Sequence, residues 1–280
     1  MTLGMASFIA NDSIVKYVSQ SLPAAQLICL RGLFATLLLL SIAQAMGLLR
    51  GNGSTEGAAL KQLAHRQVLL RSFIDALAGL AYLSALFRMP LGNATAINMA
   101  SPLFLTLYAA LVWREPVGPA RWLLVCAGFA GVLLIVQPAG SGFNTWSLLC
   151  LVATMLHATR DLLTRSIPRS IPSVIVTLST AATVTVLAGL LSIFEGWQPL
   201  TGLQWALLAV ASVFLCGGYY LVILCMRDGD ISVIAPFRYT SLLFALLIGW
   251  LVWGDVPNLL AWAGIAMLVA AGLLMMRRTH

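Results

Sequence analysis

Charge is scarce in this chain: only 9% of its 280 residues are Asp, Glu, Lys or Arg, against 60% hydrophobic. A soluble fold of that length could not keep so much apolar surface from water. Lipid is the solvent that tolerates such a composition, and a mean hydropathy of +0.95 points the same way. The chain also lacks paired metal or redox motifs. Cys29, Cys126, Cys150, Cys216 and Cys225 all lie in apolar stretches, without CxxC or Cys/His spacing. That pattern argues for small apolar packing and against a disulfide framework or a zinc site. No HExxH or nucleophile elbow is present. The net charge of +7 comes from basic residues set singly between apolar runs. With no basic stripe interleaved with aromatics, nucleic acid is not an expected partner. No basic segment followed by a cleavage site stands near the start, so Leu3–Val18 is expected to be a retained first helix.

What the chain does have is apolar runs, near 2–20, 23–48, 67–87, 90–112, 119–137, 143–164, 172–194, 203–226, 231–253 and 257–276. Most approach the roughly 20 residues that cross a hydrocarbon core as a helix. The breaks carry turn chemistry: Pro23, Met89-Pro90, Gly118-Pro119, Pro138-Ala139-Gly140, Pro168, Pro172 and Gly254–Pro257. The longest polar insert is Arg50–Arg66. If the N-terminus is cytoplasmic, the inner loops and tail collect Arg50, Lys61, Arg66, Arg71, Arg114, Arg121, Arg160, Arg165, Arg169, Arg227, Arg277 and Arg278. The outer loops keep Arg88 and little else, so both termini are expected in the cytoplasm.

The chain repeats itself. Residues 95–136 align without gaps on 235–276, pairing Ser101 with Ser241, Phe104 with Phe244, Trp113 with Trp253, Glu115 with Asp255 and Trp122 with Trp262. Asp12-x3-Lys16-x6-Pro23 recurs as Asp161-x3-Arg165-x6-Pro172. With five helices per half, the copies face opposite ways. Arg114 and Arg121 of the first copy accordingly become Gly254 and Ala261 in the second, where arginine would oppose the charge bias. The expected fold is an all-α membrane protein of ten transmembrane helices, arranged as two inverted five-helix repeats over 1–137 and 138–280.

An inverted repeat points to transport by alternating access about a site near the midplane. A charge at the bilayer centre costs about 2.5–3.5 kcal/mol on insertion scales, so intramembrane charges mark that site. Arg31 and Arg238 lie seven or eight residues into their helices and are candidate donors to a carboxylate, phosphate or other electron-rich group. The alternative is snorkelling or a structural ion pair. In the repeat alignments they face Thr180 and Asn98, so they break the symmetry. Tyr239, Tyr82, Asn98 and Ser101 are candidate substrate contacts through hydrogen bonds and stacking, against a plain interhelical role. Asp12, Asp75 and His157 are candidates for proton or ion coupling. Against that, Asp12–Lys16, Arg71–Asp75 and Asp161–Arg165 each have the i, i+4 spacing of a self-neutralising pair. Pro102 is expected to kink the fourth helix, and Gly128, Gly131, Gly217 and Gly218 mark close helix packing.

The competing function is an intramembrane enzyme acting on lipid or prenyl substrates. It would need a metal or acid/base constellation, and Asp228-x-Asp230 is the nearest approach, in a segment that reads as a turn. No cofactor and no metal are expected.

In order, Asn11-Asp12-x3-Lys16, Arg31, Gly79-x2-Tyr82-x2-Ala85-Leu86, Pro90, Ser101-Pro102-Leu103-Phe104 and Trp113-Arg114-Glu115-Pro116 run through the first half. Gly229-Asp230-x4-Ala235-Pro236-Phe237-Arg238-Tyr239 and Pro257-x6-Gly264 follow in the second. This pattern resembles the drug/metabolite transporter superfamily, specifically its EamA-type members, over essentially the whole chain. The resemblance implies two EamA repeats, a bacterial inner-membrane location and movement of a small organic solute such as an amino acid, nucleotide-linked metabolite, vitamin or drug. Arg31 and Pro236–Tyr239 look most like the branch of S-adenosylmethionine and riboflavin carriers. The partners this implies are a small-molecule substrate and the lipid bilayer; a homodimer is left open.

Overall fold

The computed structural model describes residues 1–48, 62–112, 118–137, 144–168, 170–228 and 235–277. Among them the chain is helical throughout: α1 (Thr2–Val18), α2 (Ala24–Ala45), α3 (Arg66–Leu86), α4 (Leu91–Asn98), α5 (Ser101–Val112), α6 (Pro119–Val136), α7 (Thr145–Ser166), α8 (Ser173–Glu195), α9 (Gly202–Asp228), a 3-10 turn (Ala235–Tyr239), α10 (Thr240–Trp253) and α11 (Leu259–Arg277). Most of Arg50–Arg66, Pro138-Ala139-Gly140, Trp113–Pro116 and Gly229-Asp230 lie outside the described residues.

Prolines set several of the starts. Pro23, Pro90 and Pro172 precede α2, α4 and α8, and Pro119 opens α6, where a missing N–H leaves no helical bond unmade. Gly254 ends α10 in the left-handed region, with φ of 69°, where a side chain would be strained. Among the described residues four helices are long and apolar enough to cross a membrane, Ala24–Ala45, Arg66–Leu86, Ser173–Glu195 and Gly202–Val222.

The fourth run is not one kinked helix, as expected from Pro102. It is two helices, and α4 stops at Asn98. The ring of Pro102 excludes the carbonyl four residues earlier, which is Asn98, and Pro102 has no N–H to give it. The break therefore falls upstream of the proline. The chain turns through Met99-Ala100 and restarts on Ala100 O, which accepts from the amides of Leu103 and Phe104. The ninth run is likewise interrupted: a 3-10 turn ending at Tyr239 leads into α10.

Polarity runs inside out relative to a soluble protein. Phe194, Leu259 and Leu123 are 88%, 86% and 70% exposed. Asn11, Gln26, Lys16, Arg31 and Asp75 are all buried. Only a lipid exterior makes that distribution favourable. Main helix contacts join α2 to α8, α6 to α11, α3 to α7, α1 to α9, α3 to α8 and α2 to α9. The α6–α11 contact is close enough that a Cβ on Gly131 would stand 2.7 Å from the Gly264 oxygen, and one on Gly264 2.5 Å from the Gly131 oxygen.

Where α1 ends, hydrogen bonds between elements stitch the bundle shut. Gln26 exchanges two with the backbone of Gln198, at 2.7 and 2.9 Å. Glu195 accepts from the amide of Ala25 in the first turn of α2, at 2.8 Å, a favourable seat for an anion. Asn144 donates to Arg88 O, and Gln137 and Asn258 pair in both directions. Lys16 does not pair with Asp12 as the i, i+4 spacing suggested. Its ammonium donates to Met89 O at 2.6 Å, lies 3.7 Å from Asp255 and sits 4.9 Å from the Trp253 ring centre. A main-chain acceptor and an aromatic face on other elements outbid the neighbour on its own helix. All five thiols are free.

Replacing Gly131 with Val is expected to force α6 and α11 apart, destabilising the protein by about 1–3 kcal/mol. Gly217→Ala, whose added methyl meets nothing within 4 Å, should leave the melting temperature in detergent unchanged or slightly raised.

Candidate functional site

A cavity of about 400 Å³ opens in the half of the bundle away from the stitched end. Its walls come from the first part of α1 and α8, most of the length of α3, the middle of α2, the later part of α7 and α9, the α4/α5 break and the start of α10. Asp12, Arg31, Asp75, Tyr82, Asn98, Ser101, His157, Arg238 and Tyr239 all line it. The helix breaks matter here. Asn98 ends α4 and Arg238 sits in the 3-10 turn, so both side chains are presented from irregular backbone at the cavity wall.

Two polar clusters face each other across this space. In the first, Asp12 accepts from Asn11 Nδ2 at 2.9 Å and from the Tyr82 hydroxyl at 3.2 Å. Arg31 reaches the same asparagine, donating from Nη1 to Asn11 Oδ1 at 3.2 Å. Arg31 is held from behind, where its carbonyl accepts from the Ser212 hydroxyl at 2.9 Å. In the second cluster, Asp75 lies between two guanidinium groups, with Arg160 Nη1 at 2.9 Å from one oxygen and Arg71 Nη1 at 3.1 Å from the other. Arg160 also grips Asp161 at 2.7 and 3.0 Å, and Arg71 donates to the Thr180 hydroxyl.

Rings flank both clusters. His157 Nδ1 is 2.9 Å from Asn98 Oδ1, and its ring lies 6.0 Å from that of Tyr82. On the other side, Phe8 meets Tyr219 edge to face at 5.1 Å. Arg238 is exposed and forms no ion pair among the described residues. Ser101 Oγ is buried with no hydrogen-bond partner among the described residues.

Arg160 is the residue that sequence reasoning misassigned. It counted there as one more basic group near the inner surface, whereas it stands in the cavity wall as the partner of Asp75. Arg71–Asp75 forms as the spacing suggested, and Asp161 pairs with Arg160, its neighbour in sequence; the Arg165 side chain of the expected Asp161–Arg165 pair lies outside the described residues. Asn11, Tyr219 and Thr180 are also on the wall. The signal for Thr180 was available, since the repeat alignment pairs it with Arg31.

A bundle with an apolar exterior, a charged interior and a metabolite-sized cavity has the form of a membrane carrier. A family model described as the EamA-like transporter family matches residues 1–137 and 144–277. The chain belongs to that family. This EamA-like transporter is 32% identical over 209 residues to a riboflavin transporter of Rhizobium johnstonii, covering 75% of this chain and 69% of the relative. It is 26% identical over 277 residues to a pseudopaline exporter of Pseudomonas aeruginosa, covering 98% and 94%. A solved crystal structure superposes with a TM-score of 0.63 at 19% identity, covering 99% of this chain and 97% of that one, a likeness of fold. The protein is thus a multi-pass membrane transporter of a small molecule, and not an enzyme.

The EamA-like transporter should lose stability if either side of the Asp75 pair is removed, since each leaves a buried charge short of a partner. Asp75→Asn and Arg160→Gln are each expected to lower the melting temperature. The double variant should lose less than their sum, with a coupling of about 0.5–3 kcal/mol in a double-mutant cycle.

Proposed function

We propose that this transporter moves a small organic metabolite through the cavity by alternating access, the moving bodies being two inverted five-helix halves, 1–137 and 138–280. The observation that carries this reading is the meeting of repeat-paired positions on one cavity. Asp12 and Asp161, Arg31 and Thr180, Asn98 and Arg238, and Ser101 and Ser241 all stand on its wall. Packing supports it too. Exchanging each run with the one five places on turns the α3–α7 contact into α9–α1, and α3–α8 into α9–α2, while α2–α8 and α6–α11 map onto themselves. The two ring pairs, Tyr82 with His157 and Tyr219 with Phe8, are counterparts under the same exchange. Two similar halves hinged on a shared site can present that site to either side by rocking.

In this reading the chain sits in the bacterial inner membrane with both termini cytoplasmic, and the cavity opens inward while the stitched end closes the outer side. Arg31, Arg238, Tyr239, Tyr82, Asn98 and Ser101 contact the substrate. His157 is the candidate for the coupling proton or ion, and Asp12 is joined to Arg31 through Asn11. Asp75, matched by two guanidinium groups, holds α3 to α7. One relative is named a riboflavin transporter, so riboflavin belongs in the panel of solutes tested.

Purified protein in liposomes should give saturable uptake of riboflavin or another member of a metabolite panel under an imposed pH gradient. Arg31→Gln should lower kcat/KM about tenfold or more, as expected for a charged hydrogen bond. No flux of any panel member by correctly folded protein would remove the transport mechanism proposed. A reporter fused to either terminus that reads out on the outer side would remove the orientation.

A further inference from the structure

We propose that the transported solute is an organic monoanion, bound through a single carboxylate and bearing no compensating ammonium. The inference deepens the transport reading above and rests on it.

It starts from the charges on the cavity wall. Arg71, Arg160, Asp75 and Asp161 close on themselves: Asp75 lies within 2.9 and 3.1 Å of the two guanidinium groups, and Asp161 takes the rest of Arg160 at 2.7 Å. One Asp75 oxygen has no hydrogen bond of good geometry. Its charge is nonetheless matched by Arg71 at 3.1 Å. Asp12 and Arg31 form a second balanced set, joined through Asn11. What remains is Arg238, a cation with no ion pair among the described residues. Once a substrate fills the cavity and excludes water, the described residues leave one positive charge on the wall without a counter-charge, and low dielectric makes that unfavourable. A ligand of charge −1 restores neutrality. A zwitterion, with no net charge, does not. A phosphate monoester carries nearly two charges and overshoots.

The hydrogen-bond inventory points the same way. A guanidinium has five N–H donors. Buried Arg31 uses one side-chain nitrogen, at 3.2 Å, and its Nε is buried with no partner. The Ser101 hydroxyl is buried, unpartnered and on the same wall. Orphaned donors in a binding cavity are completed by acceptors on the ligand, and a planar two-oxygen acceptor suits a guanidinium edge best. The geometry thus assigns the carboxylate to Arg31 and Ser101, within the field of Arg238. The aromatic pairs on both sides are left for an apolar or ring-bearing remainder.

The test uses three labelled probes that share a ring and chain and differ in charge: 3-phenylpropionate, 3-phenylpropionamide and phenylalanine, with riboflavin alongside. Each is presented to wild-type protein in liposomes. The expected result is uptake of 3-phenylpropionate at least about tenfold faster than the amide or the amino acid. Arg238→Gln should bring the anion and the amide within about twofold, while Arg238→Lys should keep the preference. Because Arg31→Gln could fold poorly, thermal stabilisation by 3-phenylpropionate is read on the same samples, and is expected in wild type and absent in any folded Arg31→Gln protein. Carriage of riboflavin, the amide or phenylalanine without a preference for the anion overturns the charge assignment and leaves the transport reading standing. Absence of flux for all four probes, with no stabilisation by the anion, overturns the assignment as well, and the wider metabolite panel then decides the transport reading. An anion preference that survives Arg238→Gln overturns the role given to that residue.

Discussion

In hydrocarbon no water waits to satisfy a stranded charge, so an ionic group buried in the bundle has to find its complement within the protein. That requirement organises the molecule. Asp75 draws α3 and α7 together through Arg160 and ties Arg71 of its own helix into the same pair. Asp12, Asn11 and Arg31 join α1 to α2, and Tyr82 brings in α3. The charged residues that a soluble protein would spread over its surface are gathered along an interior wall, and leucines and phenylalanines face outward. The cavity is the space those clusters cannot fill.

Helix continuity yields to the same demand at two places. A regular helix offers no backbone groups to its surroundings, because each is bonded internally. Interrupting the fourth run at Met99-Ala100 and opening the ninth with a 3-10 turn frees main-chain polarity where the wall needs it. Glycine does the complementary work on the dry side, letting α6 and α11 approach backbone to backbone.

Much of this was legible from sequence, for reasons that are physical. Bilayer thickness fixes helix length, so the ten runs could be located by hydropathy and bounded by proline to within a few residues. A charge in an apolar run is conspicuous, which is how Arg31, Asp75 and Arg238 could be singled out before any contact was known. What stayed hidden depended on partners far apart in the chain. Arg160 reads as an interfacial basic residue until α7 is set against α3. Asp12–Lys16 reads as a helix pair until the loops carrying Met89 and Asp255 come into place. The break near Pro102 was expected at the proline because the residue is visible, whereas the strained atom is the carbonyl of Asn98 one turn earlier.

The position of Lys16 has a consequence for how the protein is made. Its final partners, Met89 O and Asp255, belong to segments synthesised 73 and 239 residues later. The first helix therefore enters the membrane carrying an ammonium whose counter-charge does not yet exist. Asp12, one turn back on the same face, is the partner within reach during that interval. The spacing that does not describe the finished fold is the one open to α1 before the long-range contacts of Lys16 can form.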